Sequence, residues 1–136
     1  MKICVLFVLC TSFATVWCIT EEMKAMAAAL HKTCVAETGV DEGLIHKANS
    51  EKVLEDDEKL KCYVKCIMTQ SGCMNDDGTV DVEAIVDIIP EEIKEKAAPK
   101  IRACGSKVGA NHCENAWLTH KCYIEYGPSV RCLLHI

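Results

Sequence analysis

Strand signals are almost missing from this 136-residue chain. No segment sustains a period-two alternation, no Asn-Gly or Asp-Gly pair separates two β-branched runs, and both phenylalanines, Phe7 and Phe13, lie in the first 18 residues. A sandwich or barrel needs many short alternating strands with turn signals between them, so an all-β fold is excluded. Basic clusters are missing too. The formal net charge is -5 with acidic residues spread along the chain, which offers no electrostatic footprint for a phosphate backbone or an anionic lipid surface. Beyond the N-terminus no apolar run is long enough to anchor the chain in a bilayer. Catalytic motifs are absent as well: there is no Gly-x-Ser-x-Gly elbow, no His-Glu-x-x-His and no Gly-rich phosphate loop. No Asn-x-Ser/Thr acceptor is present, so N-glycosylation is not expected.

What the chain has in excess is cysteine, with eleven residues alongside 50% apolar and 26% charged content. The length suits one domain, and the cysteine density points to a small oxidised fold whose bridges supplement a modest core. Met1 and Lys2 precede an apolar stretch over 3–17 broken only by Thr11, Ser12 and Thr15, the pattern of a secretory leader. Val16 and Cys18 suit a cleavage after residue 18, with Ala14 as an earlier alternative. Removing 18 of 136 residues leaves a 118-residue domain over 19–136, and the loss of Lys2 takes the formal charge from -5 to -6. The remaining cysteines are Cys34, Cys62, Cys66, Cys73, Cys104, Cys113, Cys122 and Cys132. An even count in a secreted chain implies a disulfide framework, although eight cysteines can pair in on the order of a hundred ways. Zinc held by the Cys-x3-Cys pair with a downstream Cys and His112 is the weaker use, because no second close pair of cysteines follows; no metal and no cofactor are expected.

Helical signals fill the space between the cysteines. Thr20 precedes Glu21 and Glu22, and Met23, Met26, Ala27, Leu30 and Cys34 form a stripe at three- and four-residue spacing that stops near Gly39. Asp41 can cap a short second helix carrying Leu44 and Ile45. Asp56 or Asp57 can start a third, with Leu60, Val64, Ile67, Met68 and Ser71 on one face and Cys62 and Cys66 together on an adjoining one. Two thiols at that spacing are placed to receive partners from two different flanking helices, which makes the third helix the stapled centre. Asn75, Asp76, Asp77 and Gly78 form a turn. As an EF-hand loop it fails, since aligning on Gly78 puts Cys73 at the first ligand position and Ala84 at the twelfth. Asp81 can cap a fourth helix whose apolar face is Val82, Ile85, Val86 and Ile89, ending at Pro90. Pro90 suits the first turn of a fifth, with Ile93, Ala97, Ile101, Cys104 and Val108 as its buried stripe and Pro99 as an interior break or kink. A sixth runs from about His112 to Tyr126, ending at Gly127 and Pro128, and Val130, Leu133, Leu134 and Ile136 leave an apolar tail.

The spacings are specific: Cys34, 27 residues, Cys62, three, Cys66, 37, Cys104, eight, Cys113, eight, Cys122. This pattern resembles that of the insect odorant-binding proteins, the pheromone-binding group included, over essentially the whole chain after the leader. The stretches around Cys62 and Cys122 and the Ile89-Pro90 step also look like the family's. The resemblance implies an all-α, compact six-helix or seven-helix disulfide-stapled bundle around an internal apolar cavity. It also implies the pairings Cys34 with Cys66, Cys62 with Cys113, and Cys104 with Cys122. Cys73 and Cys132 lie outside the pattern and can form a fourth bridge or remain free or intermolecular thiols.

Such a shell can keep a cavity open, and binding rather than catalysis is the expected activity. The candidate lining is Val64 and Met68 from the third helix, Val82, Ile85, Ile89, Ile93, Ala97 and Ala98 from the fourth and fifth, and Trp117, His120 and Tyr123 from the sixth. Each aliphatic residue has ordinary core packing as its plain alternative. Thr119, His120, Tyr123 and Tyr126 are the polar handles for an alcohol, aldehyde, ester or ketone. By the resemblance, the tail over 130–136, with His135 and the terminal carboxylate, is a lid that acid loosens. The function so implied is a secreted carrier that takes small hydrophobic volatile ligands, odorants or pheromones, through sensillum lymph to olfactory receptors, as a monomer or weak homodimer. The alternatives are a carrier in a non-sensory secretion, a secreted lipase-type enzyme and a solid-core interaction protein; nucleic acid and stable membrane insertion are not expected.

Overall fold

The computed structural model describes residues 21–126, and the expected leader, Cys132 and the tail lie outside them. Six helices carry the fold: α1 (Glu21–Thr38), α2 (Glu42–Ser50), α3 (Glu58–Gln70), α4 (Val82–Ile88), α5 (Glu91–Cys104) and α6 (His112–Glu125). Local chemistry sets their ends. The Asp41, Asp57, Asp81 and Asn111 side chains accept from the backbone N–H of Gly43, Leu60, Ala84 and Glu114, filling donors that a first helical turn leaves without partners. Asp57 is thus the cap of α3, while Asp56 pairs with Lys61 instead. Gly39, at φ +63°, adopts the left-handed conformation that stops α1.

Three bridges fasten these helices around α3. Cys34–Cys66 ties it to the last turn of α1, Cys62–Cys113 ties it to the start of α6, and Cys104–Cys122 ties the end of α5 to α6. The i, i+4 thiols of α3 therefore do reach two different helices, and the Cys-x3-Cys sulfurs are consumed in bridges rather than offered to a metal. Among the described residues α4 carries no bridge. Helix α3 packs most extensively on α6 and then on α1, burying Leu60, Tyr63 and Val64 completely. His31 of α1 links three helices: its Nε2–H faces the Glu42 carboxylate of α2 at 3.2 Å, which leaves Nδ1 to accept from the Tyr63 hydroxyl of α3 at 2.8 Å. Lys61 is buried but its ammonium is held by Asp56, Glu58 and, more distantly, Glu114, so its pKa is raised, chiefly by hydrogen bonding to Asp56 and Glu58.

Two segments differ from the sequence reading. Helix α5 runs unbroken through Pro99, because Ala97, Ala98, Ile101 and Cys104 on its buried face and the bridge at its end hold the helical path across the lost N–H. Val108 does not extend that stripe. The helix ends at Cys104, Gly105 turns away at φ +60°, and Val108 is 80% exposed in the following loop. That loop folds over α6 and is held by its side chains. Thr119 Oγ1 accepts from Lys107 N at 2.9 Å, Asn115 Oδ1 from Gly109 N at 2.6 Å, and Glu114 Oε2 from Ala110 N at 2.6 Å. Asn115 also donates to the carbonyl of Gly78, 37 residues away, at 2.9 Å. Gly78 is required where it sits: φ is +83°, and an added Cβ would lie 2.2 Å from the His112 ring.

Candidate ligand-binding cavity

A cavity of about 340 Å3 lies between α1, α3 and α4 and meets α6 at a single residue, His120. Its walls follow from helical periodicity. Met23, Met26, Ala27 and Leu30 line up along α1, Val64, Ile67 and Met68 along α3, and Ile85, Ile88 and Ile89 along α4 and its end, with Ser71 and Cys73 closing the turn after α3. None of these residues carries a charge. Met26 and Ile88 are 61% and 54% exposed, whereas Val64 and His120 are buried, so the rim lies between α1 and α4 and the floor between α3 and α6. A second depression of about 400 Å3 is wider but is an open groove edged by Glu37, Glu58, Lys59 and Lys65, side chains that keep it hydrated.

His120 and Ser71 bring side-chain nitrogen and oxygen to this cavity, and the Ser71 hydroxyl is spent on the Ile67 and Met68 carbonyls. His120 is 1% exposed, and among the described residues neither Nδ1 nor Nε2 has a hydrogen-bond partner; the Tyr123 hydroxyl, three residues on, is likewise buried and without one. Buried polar atoms are nearly always satisfied in native proteins, so the two ring nitrogens mark a place where a partner belongs. Burial pushes the His120 pKa down to about 4, so the ring is neutral at physiological pH, with one N–H donor and one acceptor nitrogen. Burial likewise raises the Cys73 thiol and, together with Cys73, the Tyr123 phenol. The described lining is uncharged at pH 7.

Of the expected lining residues, Val64, Met68, Ile85, Ile89 and His120 meet at this cavity. Ala97, Ala98, Trp117 and Tyr123 are buried in the same core without lining this cavity, and Val82 and Ile93 are half-buried against that core. One expected polar handle is otherwise engaged: Thr119 accepts from Lys107 and donates to the Asn115 carbonyl at 2.8 Å. Another, Tyr126, is 42% exposed. The α1 wall was missed as a wall, although its Met23–Met26–Leu30 stripe is plain in the sequence; helical spacing shows which residues share a face and not whether that face meets a helix or a cavity. Cys73 is a free, buried thiol in the cavity wall, and its expected partner Cys132 lies outside the described residues.

Among the described residues, a helical shell with three bridges encloses this apolar chamber. The chain belongs to the PBP/GOBP family, whose model matches residues 17–126. General odorant-binding protein 69a of Drosophila melanogaster is 30% identical over 95 residues, covering 70% of this chain and 64% of that protein, so the chain spans just under two thirds of that relative. The crystal structure of the Locusta migratoria odorant-binding protein lmigOBP1 matches with TM-score 0.76 and 31% identity over 86% of this chain and 91% of that one. Odorant Binding Protein 7 from Anopheles gambiae, a structure with four disulfide bridges in complex with an azo compound, matches with TM-score 0.75 and 27% identity over 87% and 98%. Among the described residues no helix is long and apolar enough to cross a membrane.

Proposed function

We propose that this protein is a secreted, non-enzymatic carrier that holds one small hydrophobic ligand in the α1–α3–α4 cavity. The leader over 1–18 directs secretion, and the carrier moves odorants or pheromones through sensillum lymph to olfactory receptors as a monomer or weak homodimer. The observation that carries the reading is the cavity itself: about 340 Å3 of uncharged space walled by methionine, leucine, isoleucine and valine and kept from collapse by bridges that fix α1 and α6 against α3. Family membership and a relative crystallised with a bound azo compound support it. Val64, Met68, Ile85, Ile89 and His120 are the residues of the expected set that serve as contacts, joined by the α1 wall. Pairing of Cys73 with Cys132 would fasten the tail beside this cavity.

The test is a titration of the oxidised, delipidated protein with an apolar fluorescent probe, followed by energy transfer from Trp117. Saturable one-to-one binding displaced by volatile ligands is expected. Absence of binding in correctly bridged protein would replace the carrier with a solid-core interaction protein.

A further inference from the structure

We propose that α4 and α5 form a flap on the cavity, hinged at its feet, whose tip over 88–90 lifts away from α1 to admit and release the ligand. The passage of a ligand rests on the carrier reading; the motion does not. The feet are clasped. Arg102, near the end of α5, donates from Nε and Nη2 to both carboxylate oxygens of Glu83 in the first turn of α4, each at 2.8 Å, and Asp87 adds its charge to the same guanidinium. Just outside the helices, Val80 N donates to Ser106 Oγ at 2.9 Å and Asp81 N to the Cys73 carbonyl at 2.8 Å. Cys104 bolts the foot of α5 to α6, and Asn115 of α6 holds Gly78 ahead of α4.

The tip is fastened differently. Among the described residues no side-chain hydrogen bond, ion pair or bridge joins 88–96 to another element, since the Lys94–Glu91 pair lies within α5. Helix α5 starts there on Pro90, which makes no side-chain cap, whereas α2, α3, α4 and α6 each begin on a capping Asp or Asn. Over 88–96 the one buried side chain is Ile89, which is 3% exposed and part of the cavity wall; Ile88 beside it is exposed at the rim. One aliphatic side chain therefore holds the tip shut. A segment with so few buried contacts and an uncapped helix start opens locally at a lower free energy than the fold as a whole. When it lifts, Ile89 leaves the wall and the gap to Met26 widens toward the interior.

Two substitutions of equal chemistry separate tip from foot. Ile89→Val and Ile85→Val each shorten one buried, cavity-lining side chain, the first at the tip and the second on the clasped side of α4. Hydrogen–deuterium exchange of the oxidised, ligand-free protein is expected to show the amides of 89–96 exchanging about fivefold faster in Ile89→Val and less than about twofold faster in Ile85→Val. Stopped-flow release of bound N-phenylnaphthylamine should follow the same contrast, because both variants take the same group from the wall and only one loosens the tip. Equal acceleration by the two substitutions overturns the flap. Faster tip exchange in Ile89→Val with unchanged probe release overturns its role as the entrance. If the probe does not bind at all, the carrier reading fails, and the exchange contrast alone decides whether the tip moves.

Discussion

Two faces of α6 contrast. Asn115 and Thr119, one turn apart, are buried and engaged, holding Gly78, Lys107 and Gly109 of two loops. His120 and Tyr123 share another face, are equally buried and, among the described residues, leave three polar atoms without partners. The difference lies in what each face meets. Backbone N–H and C=O groups of two loops cover Asn115 and Thr119, whereas His120 lines a cavity walled mainly by methionine, isoleucine and valine side chains. Polar atoms serve structure on the first face; on the second the His120 nitrogens are left open at the cavity floor and the Tyr123 hydroxyl lies in the core.

Breaking the frame that supports both faces has the largest expected effect. Cys62–Cys113 closes a separation of 51 residues, so replacing both cysteines by serine should lower stability by about 4 kcal/mol, against about 3 kcal/mol for Cys104–Cys122 with a separation of 18. Urea unfolding of the two double variants, compared for midpoint and slope, checks the order. Acid comes next and acts on the His120 face. His120 has a folded pKa near 4, below its ordinary 6.5, so the unfolded chain binds the extra proton between those values and stability falls as pH drops from 6.5 toward 4. The loss from this residue should reach about 3 kcal/mol by pH 4 and be absent from His120→Leu. The other titratable group in the cavity wall is the Cys73 thiol, which stays protonated over that range because burial raises it. Unfolding both proteins at pH 7 and pH 4.5 isolates the histidine from the surface carboxylates, which titrate alike in each.

The smallest effects sharpen the comparison most, because they differ in sign. Asn115→Leu should cost about 2 kcal/mol, since it strips partners from the Gly109 N–H and the Gly78 carbonyl. His120→Leu in ligand-free protein at pH 7 should gain about 1 kcal/mol, since it removes two buried atoms that have no partner. Thermal melts of the pair suffice, and a loss in both would erase the distinction between the faces.

Much of the fold was legible because its determinants are local or discrete. Asp41 and Asp81 announce themselves as caps, the third is narrowed to Asp56 or Asp57, and the i, i+4 thiols of α3 point to two flanking helices before any coordinates are known, whereas the Asn111 cap emerges only from the structure. Pro99 misled because local propensity argues for a break, whereas burial of its neighbours and the bridge beside it decide the outcome. The site was only half legible. Val64, Met68, Ile85, Ile89 and His120 could be named from their helix faces, but whether Ala97 meets a neighbour or a cavity depends on how helices distant in sequence pack. The unpartnered state of His120 is further still from the sequence, since it depends on how the described wall packs: its Ser71 hydroxyl is turned to the Ile67 and Met68 carbonyls and most of the rest is apolar.

The placement of the bridges separates permanence from access. Among the described residues the sulfur links hold α3, α5, α6 and the C-terminal part of α1, while α4 and the earlier turns of α1, where Met26 and Ile88 form the rim, are fastened by none. Those two elements can part locally while the spine stays shut, at a free energy well below that of global unfolding. Opening of the rim and thermal endurance are therefore governed by different parts of the molecule, so the fold can be hardened against heat without tightening the mouth of its cavity.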